Sequence, residues 1–352
     1  MNLRLPTTLT ILPTYRCTAA CSHCCFGSHP FVKGRIPQER ILSYIDQAAK
    51  LGIFLIVFSG GEPFLLDEDL DQAIAYATQL GLMTRVVSNA FWAVNETNTH
   101  KRLERLREAG LDELNISTGD FHQEYVPVEN VVNATVAAIR QGIRTSIMVE
   151  SRWGRQFAAE HFWRNERIAS IIEDPDIKDL LHIFESPWIP MEMTNADIRY
   201  ESMQYINKNN LHAQPGCDSI LGTLVVTPQE ELGVCCGLTR QQISELNVGS
   251  LREQSLRALF KKAVQDFLKI WLFVEGPAHI VAWAAEKDPT IQWENRFAHI
   301  CDICRFMYHD SKVKKTIRDR YEEKILDVSM RFVMLNELEV PILMEGGFET
   351  KS

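Results

Sequence analysis

The 352-residue sequence has no lysine- or arginine-rich stripe; acidic residues outnumber basic ones by 46 to 37, for a net charge of −9. Nucleic acid is therefore not an expected partner, because a phosphate backbone is held by clustered cations. The chain also has no uninterrupted apolar stretch at its start, where Pro6, Thr7, Thr8 and Pro13 break the run, so no signal-peptide core is expected. Its most apolar later segment, Phe267 to Ala285, is interrupted by Lys269, Glu275, Gly276, Pro277 and His279, too polar to span a bilayer. Low-complexity and single-sign blocks are missing as well. The 45% hydrophobic and 24% charged content is that of a folded globular chain of about two domains. A soluble cytoplasmic protein is the expectation. What the chain does have is cysteine: nine, an odd number, which in a reducing compartment points away from disulfides and towards metal or thiol chemistry.

Apolar runs at Leu9–Leu12, Ile53–Phe58, Thr84–Val87, Leu114–Ser117, Thr145–Val149 and Leu180–Phe184 predict strands. After the first they recur about every 30 residues, the length of a strand, a crossover helix and a return. Helical patterns lie between them. In Gln38 to Leu51, Ile41, Leu42, Ile45, Ala48 and Ala49 share a face before Gly52 stops the helix. His100 to Ala109 and Val128 to Gln141 read likewise. Alternation of this kind makes a parallel sheet with helices outside. Six strands predict an α/β fold, a partial (β/α)6 TIM-like barrel, over residues 1–195. In such folds chemistry collects at the carboxyl ends of the strands. A smaller second domain is expected over 196–310, with a hairpin formed by Leu221–Thr227 and Leu232–Cys235 around Pro228-Gln229-Glu230, then a helix over Leu251–Leu268. A helical tail, 311–352, runs from Lys312 to Leu338 and ends in a Gly346-Gly347 segment expected to fray.

Immediately after the first predicted strand, Cys17, Cys21 and Cys24 are spaced by three and then two residues. Three thiolates in such a loop can wrap one face of an iron-sulfur cube. The fourth iron then stays open to chelation by an amino and a carboxylate group, as S-adenosylmethionine offers. A zinc knuckle or free buried thiols are the plainer alternatives. At the end of the second strand stands Ser59-Gly60-Gly61-Glu62-Pro63: the glycines let backbone approach a ligand, and Glu62 is suited to take an ammonium group. Ser88 and Asn89 after the third strand and Ser117 after the fourth bring hydroxyl and amide groups to the same edge. Asp120, His122 and Glu124, then Glu150 and Arg152, follow the fourth and fifth strands; at least one of them is expected at the cofactor or substrate.

CxxxCxxC followed by GGE in a β/α pattern resembles the radical SAM superfamily, over about residues 8 to 190. That resemblance implies a 4Fe-4S cluster on Cys17, Cys21 and Cys24, and S-adenosylmethionine bound by Gly60, Gly61 and Glu62. It further implies one-electron cleavage to methionine and a 5′-deoxyadenosyl radical that takes a hydrogen atom from substrate. An electron donor such as flavodoxin or ferredoxin is implied with it.

A second set of thiols, Cys217, Cys235, Cys301 and Cys304, is enough for another cluster or a structural zinc. The hairpin with its CxxC is similar to the twitch domain, the short relative of SPASM, which implies one auxiliary 4Fe-4S cluster. Glu230 occupies the hairpin position where those relatives usually carry glycine. Cys25 reads as a small buried hydrophobe. Cys236 follows Cys235, and by strand alternation the two thiols are expected on opposite faces, Cys236 towards the barrel mouth. There its S–H could return a hydrogen atom to a carbon radical. The segments Cys24-Cys25-Phe26, Ser88 to Trp92, Pro215 to Asp218 and Cys235-Cys236 resemble radical SAM peptide epimerases. The resemblance implies a ribosomally made precursor peptide as substrate, Cys236 as hydrogen donor and Asp218 as its neighbour. Peptide crosslinking and small-molecule dehydrogenation are the enzymatic alternatives. A non-catalytic iron-sulfur or zinc protein is the remaining one.

Overall fold

The computed structural model describes residues 5–189 and 199–337. Six parallel strands, β1 (Thr8–Ile11), β2 (Leu55–Phe58), β3 (Met83–Ser88), β4 (Glu113–Thr118), β5 (Arg144–Ser151) and β6 (Leu181–Pro187), pair in chain order. Each predicted strand is present, with ends shifted by a few residues. The helix Gln38–Leu51 forms as read, burying Ile41, Tyr44, Ile45 and Ala48 against the sheet. Glu96–Ala109 starts four residues before its predicted beginning, because the Asn95 side chain caps it by accepting from the Asn98 N–H.

Beyond residue 199 the chain continues the same sheet. Strand β7 (Thr223–Val226) lies parallel to β1, pairing Thr8 with Thr223 and Ile11 with Val226. The antiparallel β8 (Glu231–Gly233) and β9 (Asn247–Ser250) then extend one nine-stranded sheet, in the order β6-β5-β4-β3-β2-β1-β7-β8-β9. The predicted hairpin thus covers what would be the bare edge of the barrel at β1. Strand β9 has no alternating apolar pattern to announce it in the sequence.

The predicted helix Leu251–Leu268 is two elements: Leu256–Ala263, and a longer helix Phe267–Lys287 that starts afresh where Asp266 accepts from the Leu268 N–H. By length and composition Phe267–Lys287 is the one helix among the described residues that could cross a membrane. It is bent at Gly276 (φ 77°, ψ 163°), ahead of Pro277, and 67% of its apolar window is buried inside the protein. The helix Ile300–His309 carries Cys301 and Cys304. The tail is broken at Tyr321 into Ser311–Arg320 and Glu322–Glu337; Gly346-Gly347 lies outside the described residues.

Glu230, at the hairpin turn, adopts φ +63°, a left-handed conformation that disfavours any residue but glycine. Its side chain offsets that cost. The carboxylate accepts from Arg40 Nε at 2.7 Å, from Arg252 Nε at 2.8 Å and from the Tyr44 hydroxyl, tying the hairpin to the first barrel helix. Although burial opposes ionisation, the Tyr44, Arg40 and Arg252 bonds hold the Glu230 carboxyl down at about 2. A carboxyl held below its unfolded value stabilises fully above the ordinary range near 4.5 and loses that contribution as pH falls towards 2. Glu230→Gln should therefore cost about 1–3 kcal/mol at neutral pH. Chemical denaturation should show the gap from wild type narrowing at about pH 3.

Candidate active site

The cysteine loop is mounted on the turn after β2 by backbone contacts too close for side chains. The Gly61 N–H donates to Thr14 O at 2.8 Å and the Glu62 N–H to Arg16 O at 2.9 Å. A Cβ on Gly60 would stand 2.6 Å from Thr14 O, and one on Gly61 2.0 Å from Arg16 O. The two glycines are thus required by the segment leading into Cys17, whatever they do for a ligand. Around the resulting cavity stand Cys17, Cys21 and Cys24 with Gly60, Gly61, Ser88, Asn89 and Ser117, so these sequence-predicted residues converge on one mouth at the carboxyl ends of the strands.

The donor set fits an iron-sulfur cube better than a single ion. Burial pushes the Cys17 thiol up to about 11 and Cys21 to about 12, so a cationic centre is needed to hold them as thiolates at neutral pH. Among the described residues no three thiols lie within 4.8 Å of one another. A tetrahedral zinc, with Zn–S near 2.3 Å, would need them about 3.8 Å apart. Four buried polar atoms without a partner, His23 Nδ1, Ser28 Oγ, Thr118 Oγ1 and Trp188 Nε1, belong to residues that line the same cavity, leaving hydrogen-bonding capacity around it unused.

Glu62 is placed differently from its expected role. It is 0% exposed and not part of the cavity wall. Its Oε1 accepts from the Phe64 N–H at 3.1 Å, its Oε2 from the Asn89 N–H at 2.9 Å, and the Ser88 hydroxyl lies 3.0 and 3.1 Å from the two oxygens. Burial raises its pKa to about 7 against the pull of these donors. The carboxylate read as an ammonium partner is turned inward because Pro63 starts a tight helical turn, and Glu62 caps it through the Phe64 N–H. It reaches the cavity only through Ser88 and Asn89. Asn89 in turn donates from Nδ2 to Thr18 Oγ1 at 3.2 Å and to Cys17 Sγ at 3.5 Å, joining β3 to the cysteine loop.

Of the polar residues after β4 and β5, His122 and Glu150 line the cavity. Asp120 instead accepts from the Phe157 N–H at 2.8 Å and from Arg152 at 3.0 Å, fixing a loop; Glu124 is exposed. Glu150 Oε2 lies 2.8 Å from His23 Nε2 and 2.9 Å from His122 Nδ1, while Oε1 accepts from the Phe121 N–H at 2.6 Å. Although burial works against its charge, the bonds to His122 and His23 hold Glu150 at about 2. Burial lowers the His23 pKa more than Glu150 raises it. His23 is a site residue that the sequence reading misses; its position between Cys21 and Cys24 is the signal for it. Glu150 therefore clamps the cysteine loop to β5. Trp188 stands beside this cluster with its ring 4.9 Å from Phe121.

In the second cysteine set, Cys235 lies just past β8, while Cys301 and Cys304 occupy the start of the helix Ile300–His309. A Cβ on Gly237 would stand 3.0 Å from Cys301 Sγ and 3.1 Å from Cys235 Sγ, so glycine keeps open the space both thiols face. Burial raises the pKa of Cys217, Cys235, Cys301 and Cys304 alike. Leu238, Thr239 and Gln242, just beyond, form part of the main cavity wall. Two expectations are corrected. Strand β8 ends at Gly233, so alternation does not govern the next residues: Cys235 and Cys236 both approach Ser219 Oγ, at 3.6 and 3.2 Å. Cys236 is exposed and lies outside the cavity wall. Asp218 opens on a separate hollow with Phe273, Val274 and Arg331, because the chain at Cys217 is bonded to the kinked helix through Leu272 O. Cys25, by contrast, does line the cavity.

Glu150→Ala should loosen the cysteine loop, at a cost of about 1–3 kcal/mol, and speed amide hydrogen exchange over Thr18 to Phe26. Unchanged exchange there would mean that Gly60 and Gly61 hold the loop alone.

Comparison with known proteins agrees with this geometry. Residues 11–149 match the Radical SAM superfamily. The chain is 28% identical over 127 residues to YydG of Bacillus subtilis (strain 168), named as a putative peptide biosynthesis protein, covering 36% of this chain and 40% of that one. It is 30% identical over 119 residues to PqqA peptide cyclase of Xanthomonas oryzae pv. oryzae (strain MAFF 311018), covering 33% and 30%. The matched region thus spans less than half the length of these curated relatives. Among solved structures, anSMEcpe with bound AdoMet and Cp18Cys peptide superposes with a TM-score of 0.54 at 12% identity, over 94% of this chain and 99% of that one. That likeness shows the fold. Residues 11–149 match a radical SAM domain, within a parallel α/β barrel whose cysteine loop and glycine turn meet at one mouth.

Proposed function

We propose that this chain is a radical SAM enzyme that modifies a ribosomally made peptide in the cytoplasm, and that the modification is L-to-D epimerisation. The observation that carries the reading is the single cavity in which Cys17, Cys21 and Cys24 meet Gly60, Gly61, Ser88, Asn89 and Ser117, lined also by Leu238, Thr239 and Gln242 after Cys235. The relatives named for peptide biosynthesis and peptide cyclisation support a peptide substrate. The chemistry supplied by a bound cluster and S-adenosylmethionine is a radical that takes a hydrogen atom from a C–H bond.

The protein's own part is placement. Cys17, Cys21 and Cys24 hold the cluster, and the glycine turn, Ser88, Asn89 and Ser117 hold S-adenosylmethionine. Glu62 positions Ser88 and Asn89 from behind. Residues 1–195 form this unit. Residues 196–310 hold an auxiliary 4Fe-4S cluster on Cys217, Cys235, Cys301 and Cys304, and 311–352 form the tail. Cys236, an exposed thiol touching Ser219, returns the hydrogen atom. A second reading, crosslinking of the peptide, is favoured by the position of Cys236 outside the cavity wall, since crosslinking needs no donor thiol.

Anaerobically reconstituted protein should carry about eight irons, and replacing Cys17, Cys21 and Cys24 by alanine should remove about half of them with all S-adenosylmethionine cleavage. Stoichiometric zinc without iron-sulfur absorption would defeat this reading. Cys236→Ala decides between the two modifications. Under epimerisation it should still form 5′-deoxyadenosine but no D-residue, and wild-type product made in deuterated water should gain one deuterium at the modified carbon. Under crosslinking the product is two hydrogens lighter, carries no solvent deuterium there, and forms equally well in Cys236→Ala.

A further inference from the structure

A radical SAM centre has to be reduced while its substrate cavity is occupied, so its reductant needs another way in. The structure offers one on the outer side of the cysteine loop. All 46 acidic residues of this net-negative chain lie after position 38, and residues 1–38 contain Arg4, Arg16, Lys33 and Arg35 with no carboxylate side chain. Three of these cations come together. The segment His29–Ile36 is laid against Pro13–Cys17: the Cys17 N–H donates to His29 O at 3.4 Å, Thr14 Oγ1 to Gly34 O at 2.9 Å and the Ile36 N–H to Pro13 O at 2.8 Å. Arg16, Phe31, Lys33, Arg35 and Leu65 border a shallow hollow that shares no residue with the wall of the main cavity.

Phe31 in this hollow is 84% exposed. Arg35 is paired with Asp69 at 2.6 Å. Arg16 and Lys33 are exposed and make no ion pair among the described residues. An exposed aromatic side chain sharing a hollow with two cations that make no ion pair, in a chain whose acids outnumber its bases, has the character of an interface hot spot within a steering field. Its place in the chain adds the rest: Arg16 is bonded to Cys17, and Cys17 is one backbone hydrogen bond from the His29 segment. A partner seated here is close to the cluster-bearing loop and clear of the substrate.

We propose that this hollow is the docking site of a small acidic electron-carrier protein, of the flavin or iron-sulfur kind. The proposal rests on the radical SAM reading above. Each encounter oxidises the reduced carrier by one electron, which the centre held by Cys17, Cys21 and Cys24 accepts; no proton or covalent bond is exchanged at the surface. Acidic side chains around the carrier's redox group would meet Arg16 and Lys33, and its apolar rim would meet Phe31 and Leu65.

The test compares two reductants on the full reconstituted chain: reduced flavodoxin, an acidic carrier, and dithionite, which needs no docking surface. With flavodoxin, 5′-deoxyadenosine formation by Arg16→Glu/Lys33→Glu should fall by about ten-fold or more, and the wild-type rate should drop with added salt. With dithionite the variant should match wild type. Because Arg16 adjoins Cys17, Phe31→Ser/Lys33→Glu provides a second variant further from the thiols in the chain, expected to show the same selective loss. Calorimetric affinity for oxidised flavodoxin should weaken in parallel. Equal loss with both reductants in both variants, or undiminished flavodoxin-driven turnover and binding, would overturn the docking site. A wild-type protein with both clusters that forms no 5′-deoxyadenosine even with dithionite would instead remove the radical SAM reading, and the docking site with it.

Discussion

The backbone of Gly60 and Gly61 presses against Thr14 to Arg16 at a separation that no side chain would survive. This contact fixes the height at which the chain leaves β1 and enters the cysteine loop, and much of the mouth depends on it. With the turn held there, the Glu62 N–H bonds Arg16 O and its side chain has nowhere to go but inward. Enclosed, the carboxylate gathers donors from the end of β3, which sets Ser88 and Asn89, and Asn89 reaches back to Cys17. The far side of the loop is held by a different chemistry, the charge-assisted bonds of Glu150 with His23 and His122. A rigid backbone contact and an electrostatic clamp thus hold opposite ends of one short segment.

Much of the barrel is legible in the sequence because its signals are local. A parallel strand buried on both faces is a run of apolar residues, and a crossover helix shows a single apolar stripe; both can be placed within a few residues of their ends. The first cysteine set and the residues facing it are legible for a similar reason. In a β/α fold, the residues just past a strand must sit at its carboxyl edge, so Ser88, Asn89, Ser117, His122 and Glu150 can be assigned to one mouth from strand positions alone.

The features that escape the sequence depend on side-chain direction or on distant pairing. Nothing local distinguishes a Glu62 carboxylate facing a ligand from one capping the next turn. Alternation predicts opposite faces for Cys235 and Cys236, but it fails where a strand has already ended, and β8 stops two residues before Cys235. The parallel pairing of β7 with β1 joins residues more than two hundred positions apart, and the ionic bracing of Glu230 by Arg40 spans nearly as far. At that turn the missing glycine, an irregularity in the sequence, proves to be compensated by a tether to the barrel's first helix.

The β1–β7 pairing bears on how this protein could be divided. Since β7 pairs with β1 along Thr8–Ile11, on the side away from β2, the barrel has no free flank there. A chain cut near residue 195 would leave β1 as a short, apolar open edge directly before the cysteine loop, the kind of surface that recruits stray strands. The strands that precede and follow Cys235 therefore also seal the flank of the first cysteine loop's sheet.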